Sequence, residues 1–268
     1  MTLAQAALWW PWTLPVALAG LTLSLGAGVV RGFSGFGYAA LTVAGLSLFV
    51  SPATVVPAVL GLEVLASLSM MRGAWRDADR GWLRWLLWGN LVCIPIGIAA
   101  LALLPQPQLR LLVGLALLVA ALLVRAAGTR TMATTPRLQL GAGVASGLLS
   151  GVAASGGIAA AMLMAAARLS PVALRATMVS FLFFTGAYAL AWAAIASAAT
   201  GAPTRLVGID TLRWALLLAP GMLAGIWIGH RSFGAVDRAR YRRVVLNLLI
   251  VIAALGTLRA AFDIMARG

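Results

Sequence analysis

Long apolar runs, each closed by a few polar, glycine or proline residues, make up nearly the whole chain. They fall at 13–30, 38–50, 52–71, 82–104 and 109–124, and again at 138–154, 158–167, 171–200, 212–229 and 244–262. A helix that spans a bilayer needs about 20 apolar residues. The first two runs of each set are marginal by that measure. Each such pair reads either as two tilted full helices or as two half-helices meeting near the bilayer midplane. The pattern therefore predicts about eight to ten transmembrane segments and an all-α polytopic fold.

What separates the first two runs is unusual. The stretch Val29-Val30-Arg31-Gly32-Phe33-Ser34-Gly35-Phe36-Gly37-Tyr38 carries one charge, one hydroxyl and three glycines within apolar surroundings. Each glycine weakens a helix by about 1 kcal/mol relative to alanine, so a break or a close backbone approach is expected here. Irregular backbone at membrane depth is tolerated only against protein or a water-filled cavity. The stretch also recurs. At an offset of 119 residues Gly28, Gly32 and Gly37 fall on Gly147, Gly151 and Gly156, and Ser51-Pro52 falls on Ser170-Pro171. Two readings follow. Both copies are Gly-xxx-Gly packing faces, or they are a duplicated binding element, since paired interruptions in corresponding segments point to a transporter site. Proline after Ser51 and after Ser170 suits the first turn of a third helix in each set.

Composition narrows the class. The chain has 268 residues, 62% of them hydrophobic and 10% charged, and a mean hydropathy of +1.00. Soluble domains are about 25% charged, so this is expected to be an integral membrane protein. All 20 basic residues are arginine, against 6 acidic residues. Without lysine there is no P-loop and no Schiff-base chemistry. The single cysteine, Cys93, and the single histidine, His230, leave no disulfide and no zinc site. No cofactor, no nucleic-acid partner and no enzymatic activity are expected. Residues 1–12 lack the basic start of a signal peptide, and Trp9, Trp10 and Trp12 read as interfacial aromatics.

The arginines also give orientation. Arg72, Arg76, Arg80 and Arg84 surround the connection after the third run, Arg125, Arg130 and Arg137 the middle of the chain, and Arg231, Arg238, Arg240, Arg242 and Arg243 the connection before the last run. Arginine-rich loops stay cytoplasmic. The uncharged turn at 105–108 and the loop at 201–210 are then external. Corresponding loops of the two halves fall on opposite sides, which predicts two inverted repeats with Gly-rich breaks in the first two segments of each half. The expected division is residues 1–126 as the first membrane repeat, 127–137 as a cytoplasmic loop and 138–268 as the second.

Arg31-Gly32-Phe33-Ser34-Gly35-Phe36-Gly37, together with Gly147-Leu148-Leu149-Ser150-Gly151 through Gly156-Gly157, resembles the sulfite exporter TauE/SafE family of membrane transporters over nearly the whole chain. Where that family's second copy usually reads Gly-x-Gly-Gly-Pro, this chain has Ala154, Ser155, Gly156, Gly157 and Ile158. The resemblance implies a multi-pass transporter of the cytoplasmic (inner) membrane that moves sulfite, organosulfonates such as sulfoacetate, or related small anions. Proton or potential coupling is expected, with a homo-oligomer as a further expectation. The alternatives are a passive anion channel and a membrane partner subunit without transport.

The polar residues inside the apolar runs are the candidates for a site. Arg31 offers a bidentate fork to an oxyanion, and glycine N–H groups at half-helix N-termini add positive potential. The expected substrate-binding set is Arg31, Gly32, Ser34, Gly35 and Gly37 from the first break, Ser155, Gly156 and Gly157 from the second, and Arg175. The alternative for Arg31 and Arg175 is a snorkelling arginine at the headgroups. Glu63 sits 11 residues past Pro52, about 16 Å along its helix and so near mid-bilayer. It is expected either to carry a coupling proton or to form a static ion pair with an arginine.

Overall fold

The computed structural model describes residues 14–127, 133–199, 206–231 and single positions between 247 and 265. Trp9, Trp10, Trp12 and residues 128–132, 201–205 and 232–246, on which part of the loop argument rests, lie outside the described residues. Nine helices and no strands are found among the described residues. They are α1 (Leu14–Ser34), α2 (Tyr38–Leu46), α3 (Pro52–Asp77), α4 (Arg80–Leu103), α5 (Gln106–Ala127), α6 (Pro136–Ala153), α7 (Gly156–Ala166), α8 (Pro171–Ala199) and α9 (Ile209–Arg231).

Local chemistry explains most of the boundaries. Pro52 and Pro136 each stand in the first turn of a helix, where the missing N–H costs nothing. Asp79 caps α4 by accepting the Trp82 N–H at 2.9 Å, and Thr135 caps α6 by accepting that of Leu138 at 3.2 Å. The polar stretch after Met71 shows as a kink: Arg72 and Gly73 leave helical geometry, with Gly73 at φ 98°, and a further turn follows to Asp77.

Five of the described helices, α1, α3, α4, α8 and α9, are long and apolar enough to cross a membrane. The paired segments follow neither of the two expected forms. In each pair the first helix is long, 21 residues in α1 and 18 in α6, and the second is short, 9 residues in α2 and 11 in α7. The short helices reach only about 14–17 Å, roughly half the hydrocarbon thickness.

Helix packing exchanges the two sets. The most extensive interfaces are α1 on α9, α4 on α6 and α3 on α8. The first helix of each set thus packs on the fourth helix of the other, and the two third helices pack on each other. Small residues make this close approach possible. A Cβ on Gly28 would lie 3.1 Å from Gly225 Cα, and one on Gly151 would lie 2.7 Å from Gly97 Cα. Without a hydrophobic drive between helices in lipid, such close van der Waals packing is what holds them. Asn90 adds a hydrogen bond across the α4–α6 seam, its Nδ2 donating to Gly143 O at 3.0 Å.

Candidate functional site

Both short helices begin beside one cavity. It is lined by Gly37, Ala39 and Ala40 from the start of α2, by Ala154, Ser155, Gly157 and Ile158 from the start of α7, and by Glu63 of α3 and Leu182 of α8. Its volume is about 10 Å³, room for about one water. Helix N-termini carry unpaired N–H groups and the positive end of the macrodipole, so two of them aimed at one space favour a negative group there.

At α2 such a group is already in place. Glu63 Oε1 accepts the Ala39 N–H at 3.1 Å, within the first turn of that helix. The other oxygen, Oε2, lies 3.2 Å from Arg31 Nη2 as an ion pair without hydrogen-bond geometry. Arg31 is 0% exposed and Glu63 2% exposed, so both are enclosed by protein. Arg31 Nη1 donates to Gly35 O at 2.6 Å and Nη2 to Ser67 Oγ at 2.7 Å, while Nε has no hydrogen-bond partner. A charge buried in a low-dielectric interior is tolerated when paired and hydrogen-bonded, and both partners meet that condition.

The chain between α1 and α2 is shaped by glycine. Gly35 has φ 83° and Gly37 φ 96°, left-handed conformations that glycine adopts without strain. Ser34 Oγ lies 2.7 Å from both the Val30 and the Phe36 carbonyl oxygens and accepts the Phe36 N–H at 3.3 Å, which ties the turn to the end of α1. The second break turns on Ala154, at φ 51° and ψ 21°. Behind it the Ala154 N–H returns to Ser150 O at 3.0 Å and the Ser155 N–H to Leu149 O at 3.1 Å. Gly156 packs so closely that an added Cβ would run into Ser146 O and Ser150 Oγ, and Gly156 O accepts from Ser146 Oγ at 2.9 Å.

The expected site residues therefore separate. Glu63, Gly37, Ser155 and Gly157 line the cavity. Arg31 stands behind Glu63 rather than in the lining. Gly32 belongs to the α1–α9 seam, where a Cβ would strike the Ile226 backbone. The packing reading fits the first two glycines of the repeated motif, while its last, Gly37 in one copy and Gly156 in the other, stands at the start of a short helix. Arg175 lies at the end of α1. Its Nη2 donates to Gly32 O at 2.9 Å and to His230 Nδ1 at 2.7 Å, an arrangement that suits a cation at a helix C-terminus. Among the described residues no three His, Cys, Asp or Glu side chains come together as a metal site.

Sequence reasoning passed over Ser67, Ala39 and Leu182. Ser67 was detectable, because it lies one turn after Glu63 and so on the same helix face. Ala39 contributes only its backbone, which no side-chain signal marks. Leu182 was detectable through the repeat: at the 119-residue offset it stands where Glu63 stands.

Comparison with known families agrees with the architecture. A family model described as sulfite exporter TauE/SafE matches residues 5–255. No curated protein and no solved structure matches the chain. The matched span takes in both breaks, the Glu63 helix and every described helix, so this multi-pass membrane protein belongs to the sulfite exporter TauE/SafE family, whose members are membrane transporters rather than enzymes.

Proposed function

We propose that the protein is a secondary transporter of a small sulfur oxyanion or organosulfonate, such as sulfite or sulfoacetate, across the cytoplasmic membrane, driven by protons or by the membrane potential. The observation that carries this reading is the meeting of two helix N-termini at one cavity with a buried arginine directly behind it. Tetrahedral or pyramidal oxyanions match such a set of N–H donors and a single cation. The substrate-binding set is the cavity lining from Gly37, Ser155 and Gly157, with Arg31 as charge partner. Gly32, Ser34, Gly35 and Gly156 hold the two breaks, and Arg175 closes the end of α1.

The two sets of helices are inverted repeats, residues 1–126 and 138–268, with 127–137 as a cytoplasmic connection. Three features support this: the 119-residue offset, the opposite loop charges, and a packing scheme that is unchanged when the sets are exchanged. In this scheme α2 and α7 are re-entrant half-helices, and the site sits at the repeat interface, as alternating access requires. A cavity with room for about one water favours a transporter over a channel, since a conducting pore needs a continuous wet path.

Reconstitution into liposomes tests the reading. Sulfite uptake should saturate and should show counterflow against internal sulfite, sulfoacetate or isethionate. Linear, non-saturating flux without counterflow would identify a channel, and no flux at all would identify a subunit that needs a partner. The inverted arrangement has its own test. A tag at 232–243 should be shielded in intact cells and one at 201–205 reachable from outside; finding both on one side removes the repeat argument.

A further inference from the structure

Glu63 is the single glutamate of the chain, and it occupies the place where an external anion would bind. Its carboxylate takes the first-turn N–H of α2 and the charge of Arg31 together. The remaining space beside it holds no more than about one water, so a sulfonate head cannot enter until the carboxylate withdraws. At the equivalent position in the other repeat, Leu182 faces the same cavity and offers no charge. The ionisable groups around Glu63 are Arg31 and Tyr38, with Arg175 of α8 beyond Arg31 and within reach of its charge. Arg31 comes from α1 and Tyr38 from α2, the latter hydrogen-bonded to Ser24 at 3.0 Å. Ser67 lies on its own helix, Ser155 comes from α7, and Leu182 and Gly186 come from α8.

We propose that the Glu63 carboxylate is a built-in stand-in for the transported anion, that anion and proton enter together as Glu63 is protonated and gives up Arg31 and the α2 N-terminus, and that the site therefore selects monoanions. The inference rests on the reading of the cavity as the anion site. In the step, hydronium from the solvent gives one proton to the carboxylate and leaves water, the carboxylate becomes the neutral acid, and the incoming anion pairs with the cation left behind. The empty site holds one positive and one negative charge in direct contact, while Arg175 is held outside it by the Gly32 carbonyl and His230. With Glu63 neutral, a monoanion restores that balance. A dianion would leave one uncompensated negative charge in a buried, membrane-depth position, which is strongly disfavoured. Hydrogensulfite and sulfonates fit this rule; the sulfite dianion and sulfate do not.

Calorimetric titration of the purified full-length protein with methanesulfonate tests it, because that probe stays singly charged at every pH used. From about pH 8 to pH 5, methanesulfonate should bind more tightly as the pH falls, by up to about tenfold per pH unit for one proton taken up per anion. Titrations in two buffers of different ionisation heat should count one proton taken up per anion, and sulfate should bind at least about tenfold more weakly than methanesulfonate. Glu63→Gln should bind methanesulfonate with no pH dependence and no proton uptake. If that variant does not fold, the proton count of the native protein decides alone. Binding without proton uptake, or sulfate binding as tight as methanesulfonate, overturns this inference and leaves the transporter reading standing. No binding of methanesulfonate or sulfite at any pH overturns both.

Discussion

The two breaks lie 119 residues apart, and the chain turns left-handed at the same place in each, at Gly35 with φ 83° and at Ala154 with φ 51°. Around that shared turn they differ. The first break has an arginine and two glycines with positive φ, with a glutamate of α3 packed against it. In the second, the positions of Arg31 and Glu63 are taken by Ser150 and Leu182, and the turn is made without glycine. The α2 N-terminus is met by a carboxylate, whereas the start of α7 has no side-chain cap. In the function proposed above, the common geometry builds the cavity and the charged copy sets what it binds.

The largest expected effect comes from breaking the charged copy. Arg31→Ser leaves Glu63 buried without its cation and should cost about 3–5 kcal/mol of stability. Adding Glu63→Leu gives the first break the residues of the second and should recover most of that loss, since removing both partners of a buried pair is far less costly than removing one. Unfolding of detergent-solubilised protein followed by circular dichroism reads both variants. Equal stability losses in the single and double variants would mean that the pair does not couple.

Overfilling the neutral copy should have a smaller effect. Gly156→Ala puts a methyl group against Ser146 O and Ser150 Oγ and should destabilise by about 1–3 kcal/mol through strain between α6 and α7. Gly157→Ala meets only the tips of Leu182 and Met178, at 3.2–3.3 Å, and flexible side chains give way more readily than backbone. It should cost clearly less. The reverse order would show that α7 slides easily past α6.

The smallest effects test the shared turn and should have opposite signs. Ala154→Gly should stabilise by about 1 kcal/mol, because alanine is strained in the left-handed region and glycine is not. Gly35→Ala should destabilise by about 1–2 kcal/mol for the same reason, with a further contribution from contact with the Arg175 side chain, 2.9 Å from the added Cβ. Thermal shifts measured side by side suffice. Shifts of the same sign would show that the two turns are not equivalent.

Helix positions were legible in the sequence because apolar runs and their proline, glycine and arginine punctuation are local signals. The start of α3 at Pro52, the kink at Arg72–Gly73 and the start of α8 at Pro171 all fall on such residues. What was hidden depends on tertiary contact. The pairing of Arg31 with Glu63 was open against snorkelling until packing put both out of reach of water. The role of Gly32 as a packing residue required knowing that α1 meets α9, a helix nearly two hundred residues away in the chain. The unequal lengths within each pair were legible as well, since the runs at 38–50 and 158–167 are shorter than those at 13–30 and 138–154. Hidden too is where the first short helix stops: α2 ends at a turn beginning at Ser47, before its apolar run is over, whereas the turn after α7 falls beside a charge, Arg168, at φ 59°.

The most direct test of the charged copy as the seat of anion recognition is sulfite counterflow in proteoliposomes, comparing the native protein with the folded double variant Arg31→Ser, Glu63→Leu. The native protein should exchange internal for external sulfite. The double variant, with its cavity intact and its charge pair gone, should exchange at least about tenfold more slowly, as loss of a charge-assisted contact predicts. Exchange at the native rate in that variant would contradict the account and move the anion site away from the first break.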